Sequence, residues 1–496
     1  MTFHNTVQRR MFAGLSLISL CFVVTFGLIG IKSNLPTYLS LALLLSLWPF
    51  FWMIRRTTTL FEPFTVISFY YYLFCFSAFW LYMNDFESSL LIPDITNRYH
   101  LDRVFLETLL LSLTGYFLFF LSYTCVIKPY EKNICYANKI RNLKVDDNIV
   151  VILICVFATI SLANFVWVLY KTAGLNIVEY LSMLGYYGSH MKEEFGLSTV
   201  GYNFIYPAVV LGIYERKKDN MSKPVFAGLM MIYLLCSVSM ARITGLVTDL
   251  MIFGYLSTIL NRSIEKGTRT KRRQIFFVAT LVLVGTGLFF YRMYSDLYRI
   301  HAMGVDEFID LIGSHGLSIL FGVGNAPNFG IVMKIYSQWE ADIGFLNGST
   351  MLTFLHVFLP SIMTEDVAQQ SVSWYVKNIW YGDISGGGFP PTIIGDLYAN
   401  FDILGVFAGM ALLGILFARV YSAINRSSSY FSHVFYAFLL FKFVLILPKA
   451  EFSRLGFILQ PISIYATYLM IVFITQATMH KNFGGTQSLK MTPTVD

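Results

Sequence analysis

Apolar stretches of about 18–22 residues recur along most of this chain, and short polar segments separate them. Stretches of this length can cross a bilayer as α-helices. Helices are the expected spans because lipid offers no hydrogen-bond partners to an open backbone. The pattern therefore predicts an all-α polytopic integral membrane protein with about twelve transmembrane helices. We place them near residues 11–31, 37–54, 60–82, 104–127, 148–170, 200–214, 224–240, 244–260, 275–291, 395–418, 431–447 and 455–476.

The composition supports a membrane protein and argues against several other classes. Hydrophobic residues make up 56% of the 496 residues, charged residues only 13%, and the mean hydropathy is +0.61. A soluble domain does not have this composition. The net charge of +7 does not indicate nucleic-acid binding, because the basic residues lie in short segments between apolar stretches. The six cysteines show no CxxC or Cys/His spacing, so we expect neither disulfides nor a zinc site. We also expect no other metal and no cofactor.

The basic residues also predict how the helices are oriented. Of the 36 Lys and Arg residues, 23 fall in the seven segments on one side of the predicted bundle, including RSIEKGTRTKRR at 262–273. Cytoplasmic segments carry such an excess, so both termini are predicted to lie in the cytoplasm. Arg9 and Arg10 precede a long apolar stretch without a small-residue cleavage site, which we interpret as a retained first helix.

The connecting segments divide the chain into three parts. Residues 1–291 hold predicted helices 1–9 with short loops, residues 292–394 form a large loop on the outer side, and residues 395–496 hold helices 10–12 and a cytoplasmic tail. A loop of that length is usually functional. It contains semi-apolar stretches at 311–324 and 350–363, for which we expect short helices at the outer face or dipping into it. No internal repeat is visible, which argues against an inverted-repeat transporter.

The first candidate site residue is an arginine on the outer side. Arg242, in MARITG between predicted helices 7 and 8, is followed seven residues later by Asp249 inside helix 8. Two helical turns put both on one face, and a charged residue inside a span is a functional candidate. One interpretation is a structural ion pair of Asp249 with Arg242, or with Lys442 of another span. The other is that Arg242 holds an anion in a wet outer cavity and that Asp249 orients it.

Three more arginines are predicted on the outer side. Arg292 and Arg299 open the large loop with a spacing that puts them on one helical face. Guanidinium groups bind phosphate oxygens in pairs, so anion binding is one interpretation and membrane anchoring is the other. Arg454 lies in the short turn before the last helix, where its head either faces an outer cavity or snorkels to the surface.

Two glycine-rich segments occur in the large loop. FGVGNAPNFG at 321–330 follows no strand and lacks a P-loop lysine, so it does not indicate a nucleotide site. GGGFPPTIIGDLYANFDILG at 386–405 leads into predicted helix 10, which we expect to begin near Ile394. Asp396 would then lie in the first turn, where a carboxylate complements the helix dipole. The three glycines that follow Asp383 indicate in addition a loop shaped around a ligand.

This second segment resembles one found in bacterial oligosaccharide repeat-unit polymerases, the Wzy-type O-antigen polymerase family. That family has a Gly-rich Pro-Thr stretch, then Gly, an acid, Tyr and Asn-Phe before the next helix. MARITG is partly similar to the family's Ser-Arg-Gly segment, with Arg242 at the matching Arg. The chain departs from the family where Asp396 replaces a more usual Glu and Asp402 replaces a common Gly. The matching residues are Gly388, Pro391, Thr392, Gly395, Asp396, Tyr398, Asn400, Phe401 and Gly405.

The resemblance implies a glycosyltransferase with its active face on the periplasmic side of the bacterial inner membrane. Such a polymerase joins undecaprenyl-pyrophosphate-linked oligosaccharide repeat units into O-antigen or a similar surface polysaccharide. The implied partners are these lipid-linked glycans, the lipid bilayer and a chain-length regulator protein, without nucleic acid. Two alternatives are an O-antigen ligase that transfers glycan to the lipid A core and a lipid-linked oligosaccharide flippase.

The resemblance also implies roles for individual residues. Arginines would stabilise the pyrophosphate leaving group without a metal. Arg242, Asp396 and Asp383 are the candidate catalytic residues, the two acids for positioning or for accepting a proton. The candidate substrate-binding residues are Arg292, Arg299, Arg454, Gly388, Tyr398 and Asn400.

Overall fold

The computed structural model of this chain is built from helices. It describes residues 62–83, 98–127, 147–182, 198–239, 249–257, 304–318, 329–352, 371–380, 391–424 and 430–444, with single positions at 287, 290, 294, 466, 469 and 473. Within these ranges there is no β-strand. The described part therefore has the all-α class that the sequence predicts.

Twelve helices are numbered here in chain order. The first six are α1 Pro63–Met83, α2 Arg98–Val126, α3 Asp147–Ala173, α4 Ile177–Ser182, α5 Ser198–Lys217 and α6 Lys223–Ser239. The next six are α7 Val305–Ser318, α8 Phe329–Asp342, α9 Ser349–Leu352, α10 Val372–Tyr375, α11 Thr392–Ile424 and α12 Tyr430–Phe438. π-Helical turns extend α10 over Val376–Trp380 and α12 over Leu439–Val444. Residues 249–257 are also helical.

These helices coincide with eight of the predicted spans, the third to the eighth, the tenth and the eleventh. Three described stretches, Leu101–Val126, Val150–Ala173 and Thr392–Ile424, are long and apolar enough to cross a membrane. The first, second, ninth and twelfth predicted spans lie outside the described residues, apart from single positions. The total of twelve and the cytoplasmic termini stay predictions.

The first group of packed helices contains α1, α2, α8 and α11. Glycines let α2 and α11 approach closely. A methyl group on Gly414 would collide with Ser122 and with the Phe119 carbonyl oxygen, and one on Gly115 would lie 2.9 Å from Val406 Cγ1. The interface between these two helices therefore has no room for larger side chains.

The second group contains α3, α5 and α6. The ring of Phe157 in α3 lies 5.6 Å from that of Phe204 in α5, and Tyr206 of α5 packs edge-on against Tyr233 of α6 at 5.9 Å. Helix α12 contacts both groups. The Tyr430 hydroxyl donates to the Val210 carbonyl oxygen of α5 at 2.9 Å, and the ring of Tyr436 lies 5.7 Å from that of Tyr421 in α11.

The two ends of the first group differ. Helix α8 packs where α2 begins, because the ring of Phe329 lies 5.1 Å from that of Phe105. We call this the α8 end. At the opposite end, where α2 finishes, the Tyr123 hydroxyl donates to the Glu62 carboxylate just before α1, at 3.0 Å. Helices α1 and α2 are therefore antiparallel.

Helix α11 reverses direction at Phe401 and Asp402. Phe401 has φ −142° and ψ 17°, and Asp402 has φ 61° and ψ −161°. A methyl group placed on Gly115 would lie 3.0 Å from Ile394 Cδ1 and 3.4 Å from Met410 Cγ. In one straight helix Ile394 and Met410 would be about 24 Å apart. Residues 392–400, which we call the half-helix, are thus folded back against residues 403–424.

The reversal changes the predicted tenth span. That span was placed at 395–418, but residues 395–400 belong to the half-helix. The straight part of α11, residues 403–424, is about 33 Å long, which is enough to cross a bilayer. The half-helix begins beside Gly115, about 21 Å along the apolar stretch that starts at Leu101. Its first residues therefore lie near the middle of α2.

Helices α8 and α9 and the turn between them hold the end of the half-helix. The carbonyl oxygen of Ala399 accepts from Leu346 N and from Trp339 Nε1, both at 3.1 Å, and that of Asn400 accepts from Asn347 N at 2.9 Å. These bonds satisfy carbonyl groups that a helix end otherwise leaves without partners. Within the large predicted loop, α7 overlaps the stretch at 311–324 and α9 the start of the stretch at 350–363. Helix α8 lies in neither stretch and packs against α1, α2 and α11.

Candidate functional site

A group of acidic and tyrosine side chains lies at the α8 end. The Tyr336 hydroxyl of α8 donates to Glu107 Oε2 of α2 at 3.3 Å. The Tyr398 hydroxyl of the half-helix donates to the Tyr336 carbonyl oxygen at 3.4 Å, and the two rings are 5.3 Å apart. Arg103 Nε donates to Glu107 Oε1 at 2.9 Å. These residues, with Asp402, whose charge acts on Tyr336, form what we call the α8-end cluster.

Tyr336 is a hydroxyl donor in this cluster. Burial, the Glu107 carboxylate that accepts its hydrogen bond and the nearby Asp402 charge together raise the pKa of Tyr336 to about 12, and Arg103 opposes the shift. The phenol therefore stays protonated at neutral pH. The groups in the cluster that can accept a proton are the carboxylates of Glu107 and Asp402.

Asp402 adopts a backbone conformation that ordinarily belongs to glycine. Its φ of 61° and ψ of −161° lie in a region that residues with a Cβ rarely enter. Holding a non-glycine residue there costs of order 1–3 kcal/mol. A glycine would form the same reversal with less strain, so the fold itself does not require an aspartate side chain at this position. This observation makes Asp402, which is partly exposed, a candidate for function.

Two predicted site residues, Asp396 and Asn400, form a buried network inside the half-helix. Asn400 Nδ2 donates to the Asp396 carbonyl oxygen at 2.8 Å and to its Oδ1 at 3.2 Å. The Asn400 amide also exchanges hydrogen bonds with the Thr350 hydroxyl, at 2.7 and 2.9 Å. Helix α11 begins at Thr392, two residues before the predicted Ile394, so Asp396 is past the first turn. The network fixes the half-helix to α9.

The structure brings together only some of the predicted site residues. Tyr398 lies in the α8-end cluster, and Asp396 and Asn400 lie beside it in the same half-helix. The others lie outside the described residues, so their grouping stays a prediction. They are Arg242, Arg292, Arg299, Asp383, Gly388 and Arg454.

Asp249, the buried acid at the start of the helical stretch 249–257, has a hydrogen-bond partner that was not predicted. Asp249 is fully buried, and the Tyr233 hydroxyl of α6 donates to its Oδ2 at 2.9 Å. The expected partners, Arg242 and the side chain of Lys442, lie outside the described residues. A tyrosine can supply a hydrogen bond to a buried carboxylate without adding a charge. The sequence offered a weak signal for this pair, a tyrosine in the preceding apolar stretch.

Tryptophans anchor residues 371–380 to the α8 end. Trp380 Nε1 donates to Asp342 Oδ2 at 2.7 Å, and its ring packs edge-on against Trp339 at 5.8 Å. Lys334 Nζ of α8, which is buried, lies 5.3 Å from the centre of the same ring. A cation over an indole is a favourable contact. The segment that precedes the predicted glycine loop is therefore held against α8.

Exposed apolar side chains adjoin the cluster. Next to Asp402, the side chains of Phe401, Ile403 and Leu404 are 43%, 38% and 77% exposed. Polar groups and an apolar surface thus meet at the reversal of α11. A molecule with a polar head and a hydrocarbon tail matches this arrangement.

Comparison of the chain with known proteins identified no related protein. No family model, curated protein or solved structure matches the chain. The resemblance to the polymerase family therefore depends on the residues of the 386–405 segment and of MARITG, together with the predicted arrangement of the helices.

Proposed function

We propose that this chain is a glycosyltransferase that polymerises lipid-linked oligosaccharide repeat units at the periplasmic face of a bacterial inner membrane. The observation that carries the proposal is the reversal of α11. It brings Tyr398 beside Tyr336, which is bonded to Glu107, and puts Asp402 near enough for its charge to act on Tyr336, next to exposed apolar side chains. A glycan on a polyprenyl pyrophosphate combines a polar head with a hydrocarbon tail, and this junction offers surfaces for both.

Membrane insertion of the whole bundle is part of the proposal. Helix α3 supports it, because Ile152, Val156 and Trp167 on its surface are exposed and apolar. The charge pattern puts the start of α2 and the large loop on the same outer side. The α8 end is then periplasmic, the twelve predicted spans cross the inner membrane, and both termini are cytoplasmic.

In the proposed reaction, a hydroxyl of the acceptor repeat unit attacks the anomeric carbon of the donor glycan. A new glycosidic bond forms, the bond from that carbon to the pyrophosphate breaks, and its electron pair leaves with undecaprenyl pyrophosphate. The hydroxyl proton passes to the Asp402 carboxylate. Arg242, Arg292 and Arg454 stabilise the charge on the leaving group.

The remaining residues position the reactants. Tyr336 and Tyr398 present rings and polar groups to the sugar, and Glu107 holds Tyr336 through its hydrogen bond. Asp396 is buried and bonded to Asn400, so its proposed role is to hold the half-helix in place. Asp383 and Gly388 stay candidates through the resemblance, and a chain-length regulator stays the proposed protein partner.

Purified protein in lipid nanodiscs provides the test. We would supply undecaprenyl-pyrophosphate-linked repeat units and separate the products by length. Long glycans on the lipid carrier are the expected result, and Arg242→Ala protein purified at the same yield should form none. If wild-type protein leaves the repeat units single, the polymerase proposal is wrong.

A deletion strain distinguishes the alternatives. Loss of a polymerase leaves single repeat units on the lipid A core, whereas loss of a ligase leaves the core unsubstituted. Transport of lipid-linked glycan across vesicles without chain growth would identify a flippase. Only the first result agrees with the proposal.

A further inference from the structure

Three aromatic rings surround the buried Trp339 where residues 371–380 pack on α8. The Trp339 ring lies 5.8 Å from that of Trp380 and 6.0 Å from that of Tyr375. The Tyr375 ring in turn lies 5.4 Å from that of Trp374. All these pairs meet edge to face, which is a favourable arrangement for aromatic rings. We call Trp374, Tyr375 and Trp380 the aromatic platform.

Polar contacts within the chain hold both ends of the platform. Asn378 Nδ2 donates to the Trp374 carbonyl oxygen at 3.0 Å. The indole of Trp380 donates to Asp342, and Lys334 lies over the same ring. The chain itself therefore orients the rings before any ligand binds. A site formed in advance loses less entropy on binding.

The platform is partly open to solvent, although its rings are large and apolar. Trp374 is 40% exposed, and Tyr375 and Trp380 are partly exposed. Polar side chains that bond to the platform are accessible as well, because Asp342 is exposed and Asn378 is partly exposed. Aromatic rings and hydrogen-bonding groups thus share one surface.

Trp167 on α3 is an exposed tryptophan in a different setting. It is 54% exposed, and Lys171 Nζ lies 5.0 Å from the centre of its ring. Its neighbours Val166 and Tyr170 are exposed too, and α3 carries no carboxylate beyond its first turn. Such a setting matches a membrane interface, where indoles and lysines anchor helices. A carboxylate is costly in lipid, so the exposed Asp342 indicates that the platform faces water.

A sugar ring fits a surface of this kind. One side of a pyranose carries C–H groups, which are favourably removed from water against an aromatic ring. Its hydroxyls need hydrogen-bond partners, and the carboxylate of Asp342 and the amide of Asn378 can supply them. A lipid tail would use the rings alone and would surround the carboxylate with hydrocarbon.

The platform is continuous with the proposed active site. Trp339, at its centre, donates from Nε1 to the carbonyl oxygen of Ala399 in the half-helix, three residues before Asp402. Glu340, next to Trp339, is near enough for its charge to act on Tyr398 of the α8-end cluster. A glycan that reaches the cluster can therefore extend over the platform.

We propose that the aromatic platform is a subsite for the glycan part of the substrate and binds a sugar residue that lies away from the reacting bond. This inference rests on the proposed function, since it names where that substrate is held. The platform binds the sugar and takes no part in bond making. Loss of a platform ring therefore raises KM for the lipid-linked repeat unit and leaves kcat near its wild-type value.

Binding of lipid-free glycan to the full-length protein in nanodiscs tests the platform. The probe is the oligosaccharide released by mild acid from the surface polysaccharide of the strain that encodes the chain, and calorimetry measures its affinity. We expect Trp374→Ala to weaken binding about tenfold or more. Trp167→Ala is the matched control and should bind like wild type. Equal affinity of the three proteins, or no binding by wild type, overturns the inference.

The same variants separate this inference from the polymerase proposal. If wild type forms long glycans and Trp374→Ala does so with an unchanged KM, the subsite is wrong and the proposed function stands. If wild type forms no long glycans but binds the oligosaccharide more tightly than Trp374→Ala does, the polymerase proposal is wrong and sugar binding at the platform remains.

Lipid is the alternative occupant of the platform. Nanodiscs with brominated acyl chains quench the fluorescence of tryptophans that touch lipid. The emission lost in Trp167→Phe should be quenched, and the emission lost in Trp374→Phe should not. Equal quenching of the two would show that lipid covers the platform and would overturn the inference. Because Trp374→Phe keeps an aromatic ring, this measurement decides even if Trp374→Ala does not fold.

Discussion

The same pair of side chains, a tyrosine hydroxyl donating to a glutamate, lies at both ends of α2 in two different surroundings. At the opposite end Tyr123 bonds to Glu62 at 3.0 Å, and Glu62 is only 4% exposed. At the α8 end Tyr336 bonds to Glu107 at 3.3 Å, and the Glu107 side chain is 35% exposed. The two pairs have the same functional groups, but only the Glu107 carboxylate is open to solvent.

This difference separates a structural pair from a pair that could take part in the proposed function. Around Glu62 the rings of Phe64 and Tyr123 lie 5.7 Å apart, and the pair ties the start of α1 to the end of α2. Around Glu107, Arg103 donates to a carboxylate that is partly exposed, so a ligand can reach it. Surroundings rather than residue type therefore decide which acid can take part in a reaction.

The largest expected effect concerns the acid at the reversal. Asp402→Asn keeps the size of the side chain and removes its ability to accept a proton. Loss of a general base lowers rates by roughly 10²–10⁴-fold, so glycan chain growth in nanodiscs should fall about a hundredfold or more. Glu62→Gln is the matched control at the opposite end. Equal losses per mole of folded protein in the two variants would remove the functional distinction between the two ends.

The next effect concerns stability, and here the larger loss is expected at the opposite end, not at the α8 end. Tyr123→Phe leaves the buried Glu62 carboxylate without this donor, which should lower the free energy of unfolding by about 1–3 kcal/mol. Tyr336→Phe should cost about 1 kcal/mol or less, because water and Arg103 can serve Glu107. Denaturant unfolding in mild detergent measures both. A larger loss for Tyr336→Phe would show that the α8-end pair is the structural one.

A smaller effect is expected from backbone strain. Asp402→Gly should raise the free energy of unfolding by about 1 kcal/mol, because glycine enters this conformation without a Cβ penalty. Chain growth should still be lost, since the carboxylate is gone. Asp402→Ala also lacks the carboxylate but keeps the Cβ, so it should show no gain in stability. If the Gly and Ala variants unfold alike, Asp402 is not strained.

The smallest effect is a dependence on alkaline pH. The pKa of Tyr336 is raised to about 12 in the folded protein, above the ordinary value of 10.0, so the unfolded chain loses this proton first. The contribution of the neutral phenol to stability is therefore complete below about pH 10 and is lost as pH rises towards 12. Unfolding of wild type and Tyr336→Phe across this range should differ in slope. Parallel curves would mean that the phenol is not shielded.

The sequence predicted the long helices α1, α2, α3, α5 and α6 well because their apolar stretches are long and uninterrupted. Its prediction for the tenth span was wrong at the reversal. Phe401 and Asp402 are neither glycine nor proline, and apolar residues continue on both sides. The turn depends on Leu346 and Asn347, which bond to the end of the half-helix from some fifty residues earlier. Local pattern cannot reveal a contact of that kind.

The site was harder to predict than the helices. Tyr398 and Asn400 came from the resemblance, whereas Glu107 and Tyr336 were missed. Tyr336 is separated from Glu107 by 229 residues, and it lies in a stretch that hydropathy assigns to a loop. The packing of α8 against α2 creates this pair, so neither residue stands out alone.

The folded-back half-helix has a consequence for biosynthesis. Trp339, whose indole bonds to Ala399, is made 60 residues before it, which at about 5–20 residues per second is several seconds earlier. Helices α1, α2 and α8 have therefore all been translated when residues 392–400 leave the ribosome. Residues 392–400 therefore emerge when the helices that they pack against have already been made. This order favours docking of the half-helix onto α8 over formation of one straight helix. A permuted gene that encodes α8 after α11 would remove that advantage.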